Sequence, residues 1–382
     1  MSRFSDVRGQ PAAVEVLRTA VAADEVAHAW LVVGPPGVGQ VELARALTAA
    51  LNCPDSAQGE GCGVCSICER IARGRHPACA DLEPEGANHL VDAVRERWIP
   101  QATRGLAEGR RRVLRVVAAD RMNESAQNAF LKVLEEPPPS TLWLLEADDA
   151  AALLDTVVSR CRRVDVLPWD QASMRAEARD LGVDDPDHIE VVARAALGSP
   201  QRLRALIAPD VEAARRTHLA LLDRLAEGGP GLALPVAKEL TTWAKSRVAP
   251  VAEDNAAELT RLDEEFGGDR GWPAGLRTAV KKRHERRERQ EERSALDHVL
   301  DDLSSYLRDL VVVQAGGGSD VLVNLDHELE LARDVSRLDT GQLLEALDAV
   351  EYCRRALERN GNPQLQLERL LLVLAVSLFR RR

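Results

Sequence analysis

The chain has 382 residues, enough for two or three domains, and 45% of them are apolar, which excludes bulk disorder. Its 50 Lys and Arg against 61 Asp and Glu leave a formal charge of −11, and only 3% of residues are aromatic. Those figures argue against a protein that coats the DNA backbone along its whole length, or that holds single strands on stacked rings. The opening Met1-Ser2-Arg3-Phe4-Ser5-Asp6 lacks the basic-then-apolar run of an export signal. No uncharged apolar stretch approaches the roughly 18 residues of a membrane span. The expectation is a cytoplasmic protein with no membrane contact.

The first predicted elements are short buried strands at Ala29–Val33, Val113–Val117 and Thr141–Leu145, with helix-length segments between them. That alternation predicts an α/β fold with a parallel sheet covered by helices. Strands then almost vanish. Gly182, Pro186, Gly198 and Pro200 punctuate three short helices between Asp170 and about Ala208. From Pro209 the pattern is all-α, with long amphipathic helices at Val211–Glu227, Leu296–Val313, Leu343–Arg359 and Pro363–Arg382. The last carries Leu365, Leu367, Leu370, Leu371, Leu374 and Leu378 at helical spacing and ends in Arg380-Arg381-Arg382, where cations suit the helix dipole. Gly267–Gly275 reads as a loop. It leads into the mixed-charge run Lys281–Arg289, a solvated helix with interleaved i,i+4 charges in preference to a nucleic-acid patch.

Gly34-Pro35-Pro36-Gly37-Val38-Gly39-Gln40-Val41 follows the first strand and opens a helix, the context of a phosphate-binding loop. Gly34 and Gly39 stand at the required spacing. The next two positions do not fit: Gln40 brings no charge to a β/γ-phosphate, and Val41 no hydroxyl to magnesium. Backbone amides alone leave weak nucleotide binding open, but hydrolysis by the usual route is not expected, nor productive binding of ATP.

Cys53, Cys62, Cys65 and Cys68 give C-x8-C-x2-C-x2-C, with Gly59, Gly61 and Gly63 supplying turns. Four thiolates in a reducing compartment favour a closed structural Zn²⁺ site; an iron–sulfur cluster and a redox switch are the alternatives. Cys79 is a substitute ligand at most, and like Cys353 is expected to pack in the core. The eight histidines form no metal or triad pattern, and no nucleophile–base set stands out.

Four segments carry a family resemblance. His28–Gly39 resembles the HAYLFxGPxGxGK opening of bacterial clamp-loader ATPases, and Asn128–Pro138 is similar to their NALLKxLEEPP segment. Ser159-Arg160-Cys161 resembles the SRC motif, and Asn362-Pro363-Gln364-Leu365 with Leu367-Glu368 the C-terminal NPxLxLE element. The likeness is dense over residues 1–170, thin through the helical middle, and returns near the end. It implies an AAA+ domain at 1–167 with a zinc module about 53–79, a helical lid at 168–208, and a collar domain at 209–382 with an insertion about 250–292. The family's second nucleotide motif, an Asp-Glu pair, falls by spacing on Ala118 and Ala119, with Asp120 nearby followed by Arg121.

The resemblance further implies a non-hydrolysing subunit of the DNA polymerase III clamp loader. Such a subunit helps load a sliding clamp on primed DNA, scaffolds the complex, and gives Arg160, with Ser159 and Cys161 shaping its loop, as an arginine finger to a neighbouring ATPase. Implied partners are the tau/gamma ATPase subunits and the delta subunit, with the clamp and DNA met through the complex. An active AAA+ ATPase with Asp120 on magnesium is the alternative. A free-standing DNA-binding zinc protein is a third class, disfavoured by the net charge and scarce aromatics.

Overall fold

In the computed structural model, which describes residues 2–84, 88–268, 271–273 and 275–379, strands and helices alternate through the first part of the chain. In order these are α1 (Pro11–Ala22), β1 (Ala29–Val33), α2 (Gln40–Asn52), α3 (Ser66–Ala72), β2 (Cys79–Leu82), α4 (Ile99–Thr103), β3 (Arg112–Val116), α5 (Glu124–Glu135), β4 (Thr141–Ala147), α6 (Asp155–Val158) and β5 (Arg162–Asp165). One parallel sheet results, in the order β2-β3-β4-β1-β5. This is the expected α/β architecture, a parallel sheet with helices between its strands.

The inner strands β1, β3 and β4 are buried along their whole length, which is why they read as continuous strand segments. The edge strands β2 and β5 were not foreseen. Each buries a single residue, Leu82 or Val164, and carries charge elsewhere, so neither offers an apolar run. On one face of the sheet, Trp143 meets Phe130 of α5 edge-on at 4.8 Å. Phe130 meets Trp98 at 5.9 Å, and Trp98 meets His89 at 5.0 Å. On another side chain row, Arg115 of β3 is buried between two carboxylates: Nε donates to Asp81 at 2.7 Å and Nη1 to both oxygens of Glu146 at 3.0 Å.

The chain divides into two compact units, Met1–Ala205 and Leu206–Arg382. Helices α7 (Gln171–Asp180), α8 (Pro186–Ala195) and α9 (Pro200–Leu206) are the three short helices expected after residue 170. Asp170 and Asp185 start the first two by accepting from the backbone N–H of Ser173 and His188.

The second unit is helical: α10 (Pro209–Leu219), α11 (Leu221–Gly228), α12 (Ala233–Ser246), α13 (Val248–Glu265), α14 (Leu276–Gln314), α15 (Glu328–Val335), α16 (Thr340–Glu358) and α17 (Pro363–Phe379). Two expectations are corrected. The single helix foreseen over Val211–Glu227 breaks at Ala220, because α10 packs on α14 while α11 packs on α17. The helix foreseen at Leu296–Val313 is the second half of a 39-residue helix. Its first half packs on α13, so the apolar periodicity of the core begins only at Ala295.

In α17 the Asn362-Pro363 pair makes the helix start: Asn362 Oδ1 accepts from Leu365 N at 3.1 Å, and Pro occupies the first turn. Leu367, Leu370, Leu371 and Leu374 are buried, whereas Leu365 faces out. Arg380–Arg382 and the side chain of Leu378 lie outside the described residues. Buried polar groups fix the loop before α15. Asp309 accepts from the backbone N–H of Val323 and Asn324, and Arg215 donates to Asp326 at 2.6 Å and to Asn324 Oδ1 at 2.7 Å.

Truncating Arg115 would strand Glu146 and Asp81 without their counter-charge. Arg115→Ala should lower stability by about 3–5 kcal/mol, read as a fall in the urea midpoint by circular dichroism.

Candidate functional site

The loop between β1 and α2 is where a nucleotide-binding fold would hold phosphate. Gly34 (φ +150°) can carry no side chain, since a Cβ there would lie 2.1 Å from the Val166 carbonyl oxygen. Gly39 (φ +129°) caps α2, and Gln40 is that helix's first residue. The Gln40 side chain is buried and folds back into the loop. Its Nε2 donates to Pro35 O at 2.6 Å, and its Oε1 accepts from Val38 N–H at 3.1 Å. A loop amide that could face an anion is thereby taken by the chain's own carboxamide. Val41 follows, half-buried and without a hydroxyl.

Three residues that the sequence did not flag converge on the same loop. Val38 O accepts from Gln10 Nε2 at 3.0 Å and from Trp169 Nε1 at 2.7 Å, and Gly37 O accepts from Ser199 Oγ at 3.3 Å. They lie 28, 131 and 162 residues away, so no local pattern announces them. Just past the end of β3, Ala118 (φ +51°) and Ala119 occupy the positions on which the resemblance places an Asp-Glu pair. Asp120 follows, its Oδ2 accepting from Asp148 N at 3.2 Å, and burial pushes its carboxyl above the ordinary range.

Ser159-Arg160-Cys161 forms the turn between α6 and β5. The Arg160 guanidinium donates to Thr156 O at 2.9 Å and to Glu135 Oε1 at 2.8 Å. Glu135 is the last residue of α5, within the segment resembling LEEPP, and its role as partner was not foreseen. Both side chains are solvent-accessible, 36% and 51% exposed. Such a pair is worth no more than about 1 kcal/mol, so Arg160 is ordered yet cheaply released to another anion. Ser159 Oγ donates to Thr156 O at 3.3 Å. Cys161 is half-buried, its thiol pushed up to about 12 by burial, which suits packing and not nucleophilic chemistry.

The four cysteines flagged in the sequence come together. All are free thiols, and their Sγ atoms lie within 4.8 Å of one another. A tetrahedron of sulfurs around an ion at about 2.3 Å has edges near 3.8 Å; Cys53 and Cys65 are 3.9 Å apart. Backbone N–H groups of Cys62, Cys65 and Cys68 point at Cys53, Cys62 and Cys65 Sγ at 3.4, 3.4 and 3.5 Å. Amides from Val64 and Cys65 pull the Cys62 thiol down to about 7, while burial pushes Cys53 and Cys68 up. The donor set thus fits a thiolate-preferring metal ion. Cys79 is outside it, half-buried on β2 with its thiol raised by burial. Cys353 is buried in the helical core.

The sequence model of a family described as "DNA polymerase III, delta subunit" matches residues 9–170, and that of "DNA polymerase III, delta subunit, C terminal" matches residues 290–375. The DNA polymerase III subunit delta' of Pseudomonas aeruginosa is 37% identical over 177 residues, covering 46% of this chain and 54% of that one. Over its first part the chain is thus similar to delta-prime subunits of DNA polymerase III. The Bacillus subtilis delta' subunit is 31% identical over 162 residues, 42% of this chain and 48% of its own. The chain therefore spans about half the length of the delta-prime relatives it matches. The Escherichia coli tau subunit is 28% identical over 279 residues, 70% of this chain and 39% of that one. Among solved structures, a DNA polymerase III gamma subunit-related protein from Thermotoga maritima aligns over 96% of this chain and 99% of its own, at 18% identity and a TM-score of 0.39.

The loop geometry makes a direct prediction. Gln40→Ala would leave Val38 N–H and Pro35 C=O without partners, costing about 1–3 kcal/mol of stability in urea denaturation.

Proposed function

We propose that the chain is a non-hydrolysing subunit of the DNA polymerase III clamp loader, working in the cytoplasm. It helps ATP-driven opening and loading of the sliding clamp on primed DNA, as a scaffold and as the donor of Arg160 to ATP held by a neighbouring tau/gamma subunit. The observation that carries this reading is a contrast within one domain. The chain's own phosphate loop is filled by Gln40, while Arg160 stands solvent-accessible on a weak ion pair. A guanidinium brought to a γ-phosphate neutralises charge that develops in phosphoryl transfer.

The rest of the molecule supports the same role. In the helical unit Leu365, Leu372 and Val376 form an exposed line along α17, and Leu344 and Tyr352 are exposed on α16. That apolar face suits packing on the collar helices of tau/gamma and delta subunits. We read α7–α9 as the lid and the unit that follows as the collar. The four-cysteine cluster would hold a structural zinc ion: the Sγ atoms of Cys53, Cys62, Cys65 and Cys68 lie within 4.8 Å of one another, and four thiolates would fill a tetrahedral site with no position left for water. Among the described residues no helix is long and apolar enough to cross a membrane. The alternative, an active ATPase with Asp120 on magnesium, is weakened because Arg121, not an acid, follows Asp120.

Arg160→Ala should leave complex assembly intact by size-exclusion chromatography and lower DNA- and clamp-stimulated ATP turnover by about 10³-fold or more. Unchanged turnover would contradict the finger. For the metal, the purified chain should carry one zinc per molecule. Cys65→Ser should lose it together with a large drop in Tm, given binding energies on the order of 10 kcal/mol in small zinc sites.

A further inference from the structure

The charge run in the first half of α14 is mixed in sequence but sorted in space. At about 100° per residue, Lys282, Arg283, Arg286, Arg287, Arg289 and Arg293 fall within one sector of roughly 160°, and Glu285, Glu288, Glu291 and Glu292 all lie outside it. The interleaved-charge reading of this segment is thus incomplete, because the acids and most of the cations occupy different sides of the helix.

Contacts fix which side is which. Val280 and His284 are buried against α13, His284 Nε2 lying 3.0 Å from Glu258. Arg283 donates to Glu258 and Arg287 to Asn255, at the border of that interface. The middle of the basic sector faces away from α13. There Lys282, Arg286, Arg289 and Arg293 follow i, i+4, i+7, i+11 spacing, a straight stripe. Arg293, at its end, reaches Glu358 at 3.8 Å and Asp297 at 4.0 Å. Arg289 makes one loose intrahelical ion pair, to Glu285 at 3.7 Å, and its Nε donates to the Glu285 carbonyl at 3.2 Å. Among the described residues, Lys282 and Arg286 make no ion pair, and Arg286 Nε is buried without a hydrogen-bond partner. In a chain of net charge −11 this is a local concentration of uncompensated positive charge.

We propose that the outer face of the α13–α14 hairpin binds the phosphate backbone of duplex nucleic acid, with Lys282, Arg286 and Arg289 as the contacting cations. Their successive rises of about 6 and 4.5 Å along the helix are comparable to the spacing of phosphates along a strand, and long flexible side chains take up the difference. A duplex is favoured over a single strand because the stripe offers no free aromatic platform. Trp272, at the hairpin's end, is spent on Phe266 and on Asp263. Binding would be sequence-independent, since nothing in the stripe is shaped to read base edges.

The test is fluorescence anisotropy of the full chain with a labelled duplex of about 20 base pairs across a salt series. Wild type should bind, with log K falling steeply in log salt. Lys282→Ala/Arg286→Ala/Arg289→Ala should weaken binding at least tenfold at low salt and flatten that slope by about 2–3. The single variant Arg289→Ala, at an exposed position, should flatten it by about 1, and melting curves establish that both variants are folded. Lys281→Ala, on the acidic side, should leave the slope unchanged. No binding by wild type, an unaltered slope in the triple variant, or an equal effect of Lys281→Ala would each overturn the proposal. Equally tight binding of polyglutamate would overturn it too, by showing a surface for any polyanion.

Discussion

A single carboxamide sets the character of the first unit. Gln40 begins α2 at the position where a phosphate-binding loop would place its cation, and spends both ends of its side chain on that loop. Two more loop carbonyls, Val38 O and Gly37 O, are taken by Gln10, Trp169 and Ser199, so the starts of α1, α7 and α9 are fastened to the loop. Gly34 is required there for a packing reason, since a Cβ would run into the Val166 carbonyl. On the proposed reading, the loop of a nucleotide-binding fold is kept while hydrogen bonds from Gln40 stand in place of phosphate contacts. A loop held in this way is a joint more than a pocket.

With the loop closed, the charged group of interest moves to the turn before β5. Arg160 is held by one exposed carboxylate and one backbone carbonyl, enough to order it and too little to sequester it. The buried Arg115, gripped by Asp81 and Glu146 inside the sheet, is the opposite case: its partners are committed, and its role is to hold strands together. The two arginines show how burial, not residue type, separates a structural ion pair from one that can change partners. The cysteine cluster is a third convergence within this unit, its four Sγ atoms lying within 4.8 Å of one another.

Much of this was legible in the sequence because its signals are local. The buried runs of β1, β3 and β4, the C-x8-C-x2-C-x2-C spacing and the Asn-Pro start of α17 each fit within a short window. What escaped was set by distant partners. Strands β2 and β5 have sheet neighbours but no apolar run of their own. The break at Ala220 follows from α10 and α11 serving different helices, and the full length of α14 from its packing on α13, neither visible in local periodicity. Glu135, Gln10 and Trp169 meet their partners only once the sheet has formed, so no spacing rule could have found them.

The central claim is that the chain's own nucleotide site is closed while it acts on a neighbour's. Titration calorimetry of the isolated chain with magnesium–ATP addresses it most directly. The account predicts no saturable heat, because Gln40 already holds the loop and neither Gln40 nor Val41 supplies the charge or hydroxyl that the complex needs. Tight, magnesium-dependent binding by the wild-type chain would contradict it.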